Sequence, residues 1–155
     1  MNDQANDMLG GARRALQCLD LTELGDSCSE HAIDKLIAKA LDSRGPVAAV
    51  CVWPQFVSRA SAGLRGSAVQ VATVANFPGG TSEIDRVVDD VCEALDDGAH
   101  EIDLVLPYRA FREGDAEMGA EMIGAVRDVV DQGRVLKVIL ETGELTTPSR
   151  IETCE

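Results

Sequence analysis

Two charged residues interrupt apolar segments of the chain, and both carry groups that take part in proton transfer. Asp103 lies within the apolar residues 102–106, and Lys137 lies within residues 135–140. A carboxylate in an apolar strand is costly unless it is paired or hydrogen-bonded. A lysine there is half of an ion pair or an uncharged amine. The two residues therefore predict either an Asp103–Lys137 pair that fixes strand register or a site for proton transfer and carbonyl chemistry.

Other polar residues follow apolar segments, where side chains can hydrogen-bond a small polar ligand. Asn76 and residues 141–144 are of this kind. Residues 141–144 could equally satisfy the N-terminus of a helix, which is the reading we favour for Glu144. Cys51, at the centre of an apolar run, is typical of a small buried hydrophobe. From spacing alone, Asp20 could be no more than a helix-terminating residue.

Apolar periodicity predicts the elements that position these residues. Val- and Ile-rich runs predict parallel strands buried on both faces at residues 47–52, 69–75, 102–106 and 135–140. Helical spacing predicts helices over 1–18, 29–41, 54–64, 82–97 and 115–132, with Asp3, Ser29 and Ser82 as N-caps. Because strands and helices alternate, we expect an α/β fold with a parallel sheet and right-handed crossovers.

The first three predicted strands each end at a proline beside an aromatic residue. Proline cannot donate to a sheet ladder, so it marks the point where each strand leaves the sheet. Aromatics at these ends could close the hydrophobic end of the sheet. They could also form a pocket wall, because ligands bind at the carboxyl ends of parallel strands. The residues concerned are Trp53, Phe56, Phe77, Tyr108 and Phe111.

Composition excludes several classes of function. The chain of 155 residues has 14 Lys plus Arg against 27 Asp plus Glu, a net charge of −13, which disfavours binding to nucleic acid. Its apolar stretches are far shorter than the roughly 20 residues that cross a bilayer. Five cysteines without metal-ligand spacing, and no leader-like segment, predict a cytoplasmic protein without a zinc site. We therefore expect a soluble protein with no nucleic-acid or membrane partner.

Five segments, in order and spacing, resemble the deoxyribose-phosphate aldolase family. They are LDLT (19–22), VCVWP (50–54), VANFPGG (74–80), EIDLVLPYRA (101–110) and LKVILETGEL (136–145). The resemblance runs from about residue 12 to the C-terminus. It implies a (β/α)8 TIM barrel and a cytoplasmic class I aldolase that needs no metal or cofactor. Such an enzyme cleaves 2-deoxy-D-ribose 5-phosphate, a small phosphorylated sugar, to D-glyceraldehyde 3-phosphate and acetaldehyde in deoxynucleotide catabolism.

The resemblance also implies roles for individual residues. Asp103 matches the proton donor and acceptor, and Lys137 matches a strand lysine near the reactive centre that is not the nucleophile. Asp20 and Thr22 match positions near the hydroxyl-bearing end of the substrate, and Cys51 matches a cysteine lining the pocket. Asn76, at a strand end, is a further pocket candidate.

The Schiff-base lysine of the family lies on a later strand, in a Lys-Thr-Ser-Thr-Gly-Lys-like segment, and the phosphate site also comes from later strands. The lysines here are Lys35, Lys39 and Lys137. Barrels of this class run to about 250 residues. We therefore expect residues 1–155 to be the N-terminal portion of one barrel domain, with about four βα units after N-terminal helices. That portion would lack the nucleophile and be inactive alone.

Two other hypotheses stay open at this level. The chain could be a non-catalytic half-barrel that pairs with itself, as a homo-oligomer, or with a partner chain, because open sheet edges invite association. Alternatively, Lys137 could itself have become the Schiff-base nucleophile.

Overall fold

The computed structural model describes the backbone of residues 2–145 and the side chains from residue 8 onward. Within this part of the chain, strands and helices alternate, which confirms the predicted α/β class. The strands are β1 (Asp20–Glu23), β2 (Ala49–Val52), β3 (Gln70–Ala75), β4 (Glu101–Val105) and β5 (Val135–Ile139). The helices are α1 (Asn2–Leu16), α2 (Glu30–Ala40), α3 (Val57–Gly63), α4 (Ile84–Asp96), α5 (Tyr108–Glu113) and α6 (Glu117–Val129).

Element boundaries differ from the predicted ones at several points. Ser29 caps α2 as expected, since its side chain accepts a hydrogen bond from the Ala32 N–H. Asp3 lies inside α1, and α4 begins after Glu83 without a side-chain cap, so the caps predicted at Asp3 and Ser82 are wrong. Strand β1 and helix α5 were not predicted. The sequence also predicts a helix that begins at residues 146–148, and these residues lie outside the described part of the chain.

The chain divides into two compact units, Met1–Ala72 and Thr73–Glu155. In the first unit, β1 and β2 pair in parallel, with Asp20 opposite Ala49 and Glu23 opposite Val52. The first residues of β3 follow beside β2, where the Gln70 N–H donates to the Ala48 carbonyl at 2.9 Å. Helices α2 and α3 contact each other and β2. Their buried apolar side chains, with those of β2, form the core of this unit: Ile33, Ile37, Val50, Val52, Val57 and Ala60.

In the second unit, the end of β3 lies beside β4, and β4 pairs in parallel with β5. The register places Glu101 opposite Val135 and Val105 opposite Ile139. Helices α4 and α6 pack against each other. The apolar stripes of the two helices and one face of β4 are buried here: Val87, Val91, Ile102, Leu104, Met122 and Val126.

The strands differ in burial more than their sequences suggest. All four residues of β2 are buried, as predicted for a strand covered on both faces. In β4, burial alternates, with Ile102 and Leu104 enclosed and Glu101 and Asp103 on the opposite face. The prediction of full burial is wrong for β5, where Val135 is 47% exposed and the other residues are half-buried. Within residues 2–145, β5 is the last strand of the sheet and has a neighbour on one side only.

No helix among the described residues is long and apolar enough to cross a membrane.

Candidate active site

A cluster of three charged side chains lies on one face of β4 and β5. The Lys137 Nζ is 3.0 Å from the Asp103 Oδ1 and 2.9 Å from the Glu101 Oε2. The carboxylate side chains are each 17% exposed and the lysine is 35% exposed. The cluster is therefore half-buried, with the two carboxylates more enclosed than the ammonium group. The predicted pairing of Asp103 with Lys137 is confirmed.

The pleat and the register of the strands build this cluster. Side chains two residues apart on a strand point to the same face. Glu101 and Asp103 therefore lie on one face of β4, opposite to the face of Ile102 and Leu104. Parallel pairing sets Asp103 directly opposite Lys137. The long lysine side chain then reaches both carboxylates. The face buried in the core holds β4 in place, and the opposite face presents the charged groups.

Glu101 was not singled out from the sequence. It is the first residue of β4, and a charged residue at that position usually indicates only the start of a strand. The signal that could have found it is its spacing of two residues from Asp103, combined with a lysine at the matching position of the next strand. Only the register of β4 against β5 shows that both carboxylates meet one ammonium group.

The charges of the cluster favour proton transfer. Two carboxylates and one ammonium group leave a formal charge of −1 in a half-buried setting. The Asp103 Oδ1 is itself buried, so its charge is less well solvated than that of a surface carboxylate. Like charge and desolvation both favour the protonated form of a carboxylate, while the ammonium favours the ionised form. Such opposed influences are what an acid–base group requires.

Asn76 braces the loop that follows β3. Its Nδ2 donates to the carbonyls of Thr81 at 2.9 Å and Val105 at 3.0 Å. Its Oδ1 accepts from the Thr81 N–H at 2.8 Å and from the Thr81 hydroxyl at 3.0 Å. Asn76 has a φ of 56°, a left-handed conformation that asparagine tolerates better than most residues. The side chain expected to meet a ligand therefore holds residues 76–81 against the end of β4.

Gly80 shows why this loop fits closely. Its φ is also 56°, and a Cβ at this position would lie 2.6 Å from the Leu106 carbonyl oxygen and 2.5 Å from the Tyr108 ring. A side chain is excluded by backbone as well as by the ring. The Tyr108 ring is thus packed into the loop and buried, as expected for an aromatic that closes the end of the sheet. The other four aromatics are half-buried, and their role as closure or pocket wall stays open.

Three candidate pocket residues belong to the first unit. Asp20 and Thr22 lie on β1, two residues apart, and the register places Thr22 opposite Cys51. Because residues opposite each other in a parallel pair share a face, these three side chains are on one face of β1 and β2. Asp20 is half-buried, Thr22 is exposed and Cys51 is 3% exposed. Asp20 is part of a strand, so the reading of it as a helix-terminating residue is wrong.

Residues 141–145 form a turn after β5. The Glu144 N–H donates to the Glu141 carbonyl at 2.9 Å, and Glu141 has a φ of 54°. The Glu144 carboxylate accepts a hydrogen bond from Arg112 of α5 at 2.8 Å. This side chain therefore ties the turn to α5. Within the part of the chain that the structure describes, no three His, Cys, Asp or Glu side chains converge as a group that could hold a metal ion.

Parallel strands joined by helices, with a carboxylate and an ammonium group paired on neighbouring strands, define an α/β protein with a candidate acid–base site. The comparison with known families is more specific. The sequence profile of the DeoC/LacD family aldolases matches residues 14–152. The chain belongs to this family.

Individual relatives agree with the family assignment. The chain is 46% identical over 135 residues to a deoxyribose-phosphate aldolase of Agrobacterium fabrum, covering 86% of this chain and 52% of that protein. A Coccidioides immitis structure assigned as a deoxyribose-phosphate aldolase superimposes with a TM-score of 0.80 at 32% identity, covering 99% of this chain and 66% of that one. A Toxoplasma gondii structure with the same assignment gives 0.84 at 25% identity, covering 97% and 57%.

These comparisons confirm the predicted family and the TIM-barrel fold class. The chain spans about half the length of the curated relative it matches and about three-fifths of the solved structures. The five parallel strands described here therefore belong to a fold of the TIM-barrel class.

Proposed function

We propose that this chain is the part of a deoxyribose-phosphate aldolase that supplies the acid–base residue Asp103. The observation that carries the proposal is the half-buried Asp103 carboxylate, 3.0 Å from the Lys137 ammonium on the polar face of β4 and β5, in a chain of an aldolase family. The reaction is the reversible cleavage of 2-deoxy-D-ribose 5-phosphate to D-glyceraldehyde 3-phosphate and acetaldehyde. It requires no metal or organic cofactor.

The chemistry of this reaction defines what Asp103 does. A neutral lysine amine adds to the C1 aldehyde of the sugar, and the carbinolamine loses water to give an iminium ion. The iminium accepts the electron pair of the C2–C3 bond as that bond breaks and the C3 hydroxyl loses its proton, which leaves an enamine and releases glyceraldehyde 3-phosphate. The enamine is protonated on carbon, and hydrolysis frees acetaldehyde. Asp103 donates and accepts the protons of carbinolamine collapse and of the enamine step.

In this scheme Lys137 is the charged partner of Asp103 and is not the nucleophile. An amine must be unprotonated to attack an aldehyde, and two carboxylates within 3.0 Å of the Lys137 Nζ favour its charged form. We therefore assign the nucleophile to a lysine in the part of the aldolase sequence that this chain does not match. The isolated chain is expected to be inactive.

The remaining pocket assignments are proposals of the same kind. Asp20, Thr22 and Cys51, which share one face of the first unit, are proposed to contact the substrate, and Asn76 of the second unit is proposed to hold its own loop in place. The net charge of −13 does not oppose a phosphorylated substrate, because phosphate groups are bound locally by backbone N–H groups at helix N-termini. We expect the enzyme to be cytoplasmic and to form a homo-oligomer, as the tetrameric aldolase of Aeropyrum pernix does.

The proposal is tested by measuring aldol cleavage. This chain is joined to the rest of the Agrobacterium fabrum aldolase that it does not match, and glyceraldehyde 3-phosphate release is followed with and without Asp103→Asn. We expect the fusion to cleave deoxyribose 5-phosphate and Asp103→Asn to reduce kcat by about 100-fold or more, the size of an acid–base contribution.

Asp34→Asn is the matched control, since Asp34 also pairs with a cation but on an exposed helix surface, and it should leave kcat unchanged. Near-normal turnover of the Asp103→Asn fusion would remove Asp103 from the mechanism. A fusion that folds but never cleaves the sugar would overturn the proposed function.

The exposure of β5 favours a second candidate function, a non-catalytic half-barrel that pairs with itself. In the described part of the chain, β5 has one strand neighbour, and its first residue, Val135, is 47% exposed. Unpaired edges of this kind add further strands. Sedimentation of the chain alone tests the idea: a dimer that Val135→Lys dissociates supports it, and a folded monomer at high concentration contradicts it.

A further inference from the structure

Glu101 is the one member of the charged cluster to which neither the sequence nor the aldol mechanism gives a role. Its carboxylate lies 2.9 Å from the Lys137 Nζ, as close as that of Asp103. It is equally enclosed, at 17% exposure. An exposed salt bridge of this type contributes little to stability. A half-buried one imposes a desolvation cost on its carboxylate, so the position calls for an explanation.

The effect of Glu101 on Asp103 follows from the charges. In a one-to-one ion pair, an ammonium group strongly stabilises the ionised form of its carboxylate partner. A carboxylate held in that way is a poor proton acceptor. Glu101 adds a second negative charge at the same ammonium. Because both carboxylates touch one Nζ, they lie within ~6 Å of each other, close enough for the negative charge of Glu101 to favour the protonated form of Asp103.

Geometry adds to this effect. The Lys137 side chain starts opposite Asp103 in the register, and its Nζ is drawn between the two carboxylates of β4. An ammonium group has three donors and no fixed plane, so it can serve two carboxylates at once. Each carboxylate then receives only part of the lysine's charge and hydrogen-bonding capacity.

We propose that Glu101 is a positioning residue that keeps Asp103 able to accept a proton, by sharing Lys137 with it and opposing its ionised form. This inference rests on the proposed function for its meaning, since the proton concerned is the one moved in aldol cleavage. Glu101 itself does not touch the sugar in this scheme. It acts only through Lys137 and Asp103.

The direct test is a carboxyl titration of the chain as it stands. Protein carrying 13C-labelled aspartate is titrated by NMR, and the Asp103 signal is identified by its loss in Asp103→Asn. Glu101→Gln keeps the size and a hydrogen-bonding oxygen but removes the charge. It should lower the titration midpoint of Asp103 by about one unit, because it removes the negative charge that shares the Lys137 ammonium with Asp103. Lys137→Met should move the same midpoint upward.

Glu30→Gln is the matched control, because Glu30 shares Arg59 with Asp34 as Glu101 shares Lys137 with Asp103. It should leave the Asp103 midpoint in place. An Asp103 midpoint that stays within about 0.2 units in Glu101→Gln, or that rises, overturns the inference. If the amide spectrum shows that Glu101→Gln perturbs the fold, Glu101→Asp is titrated instead. Its shorter side chain keeps the negative charge, so the Asp103 midpoint should stay at the wild-type value. A fall of about one unit in the Asp103 midpoint of Glu101→Asp would contradict the inference.

The titration tests the role of Glu101, and the cleavage assay tests the proposed function, so one proposal can be wrong while the other holds. A shifted Asp103 midpoint in a protein whose fusion never cleaves deoxyribose 5-phosphate would leave the electrostatic role of Glu101 standing and remove its use in aldol chemistry. In an active fusion, Glu101→Gln should also shift the acidic limb of the kcat profile to lower pH by about one unit. A merely structural role for Glu101 would lower stability without moving that limb.

Discussion

Two clusters in this molecule have the same charges and different surroundings. In the first unit, Arg59 of α3 binds Glu30 and Asp34 of α2 at 2.9 Å and 2.8 Å. In the second, Lys137 of β5 binds Glu101 and Asp103 of β4 at 2.9 Å and 3.0 Å. The carboxylates on α2 are 72% and 52% exposed, whereas those on β4 are both 17% exposed. One cation with two carboxylates is therefore a surface contact in one place and a half-buried site in the other.

The choice of cation follows the surroundings. Arg59 contacts both oxygens of Asp34 through Nε and Nη2, a fixed bidentate geometry that suits a helix-to-helix clamp. Its hydrogen bond to Asp34 holds the pKa of that carboxyl below its usual value, so Asp34 stays ionised. Lys137 is a point charge without a fixed plane, which can be shared and shifted between partners. The two clusters therefore contain the same number of charges and differ in enclosure and in the type of cation.

The largest expected difference between the clusters is in stability when the cation is removed. Lys137→Met removes the ammonium group that two enclosed carboxylates share, and it should lower the free energy of unfolding by about 1–3 kcal/mol, less than for a fully buried pair. Arg59→Met leaves two carboxylates that water solvates, so its effect should be much smaller. Urea unfolding of both variants, followed by circular dichroism, measures the difference.

If Lys137→Met and Arg59→Met lose the same free energy of unfolding, the enclosure of Glu101 and Asp103 has no energetic consequence and the proposed difference between the clusters is wrong. Lys137→Arg keeps the charge and controls for the loss of side-chain packing. It should recover part of the stability lost in Lys137→Met.

A smaller effect on stability is expected from low pH, at the exposed cluster of Arg59, Glu30 and Asp34. Arg59 lowers the pKa of Asp34 below the usual 3.8, so the contribution of this pair to stability is fully present above that value. It is lost as pH falls through the lower folded pKa, because the carboxyl is then protonated in both states. The hydrogen bond to Asp34 raises the pKa of Arg59, so the guanidinium stays charged throughout. The stability difference between wild type and Arg59→Met should be constant from pH 7 to pH 5 and shrink below about pH 4.

Urea midpoints of the two proteins, measured from pH 7 down to pH 3.5, provide the check. A difference that grows as the pH falls would have the wrong sign for a carboxyl whose pKa is lowered by pairing.

The sequence was sufficient for the general architecture and for the central pair of the site. Continuous apolar runs with a single charged interruption predicted the strands and picked out Asp103 and Lys137, and the structure places them in contact. This worked because a charge in an apolar strand needs a partner, and a neighbouring strand was the available place for one. The resemblance to a known family also held, since it rested on five segments in register.

Features that depend on neighbouring elements could not be predicted in this way. Strand β1 has the sequence DLTE, with too few apolar residues to show a strand pattern. The exposure of β5 depends on what covers it, because its own sequence is as apolar as that of a buried strand. The contact between Glu101 and Lys137 depends on the register of β4 against β5. The hydrogen bonds of Asn76 depend on a loop whose path no periodicity describes.

The central claim is that the half-buried cluster supplies an acid–base carboxylate and a charged lysine, and that the nucleophile lies elsewhere. Borohydride reduction in the presence of deoxyribose 5-phosphate, followed by mass spectrometry of the fusion with the Agrobacterium fabrum aldolase, tests this most directly. We expect a reduced sugar adduct on a lysine of the added part and an unmodified Lys137. An adduct on Lys137, or no adduct in a fusion that folds, would contradict it.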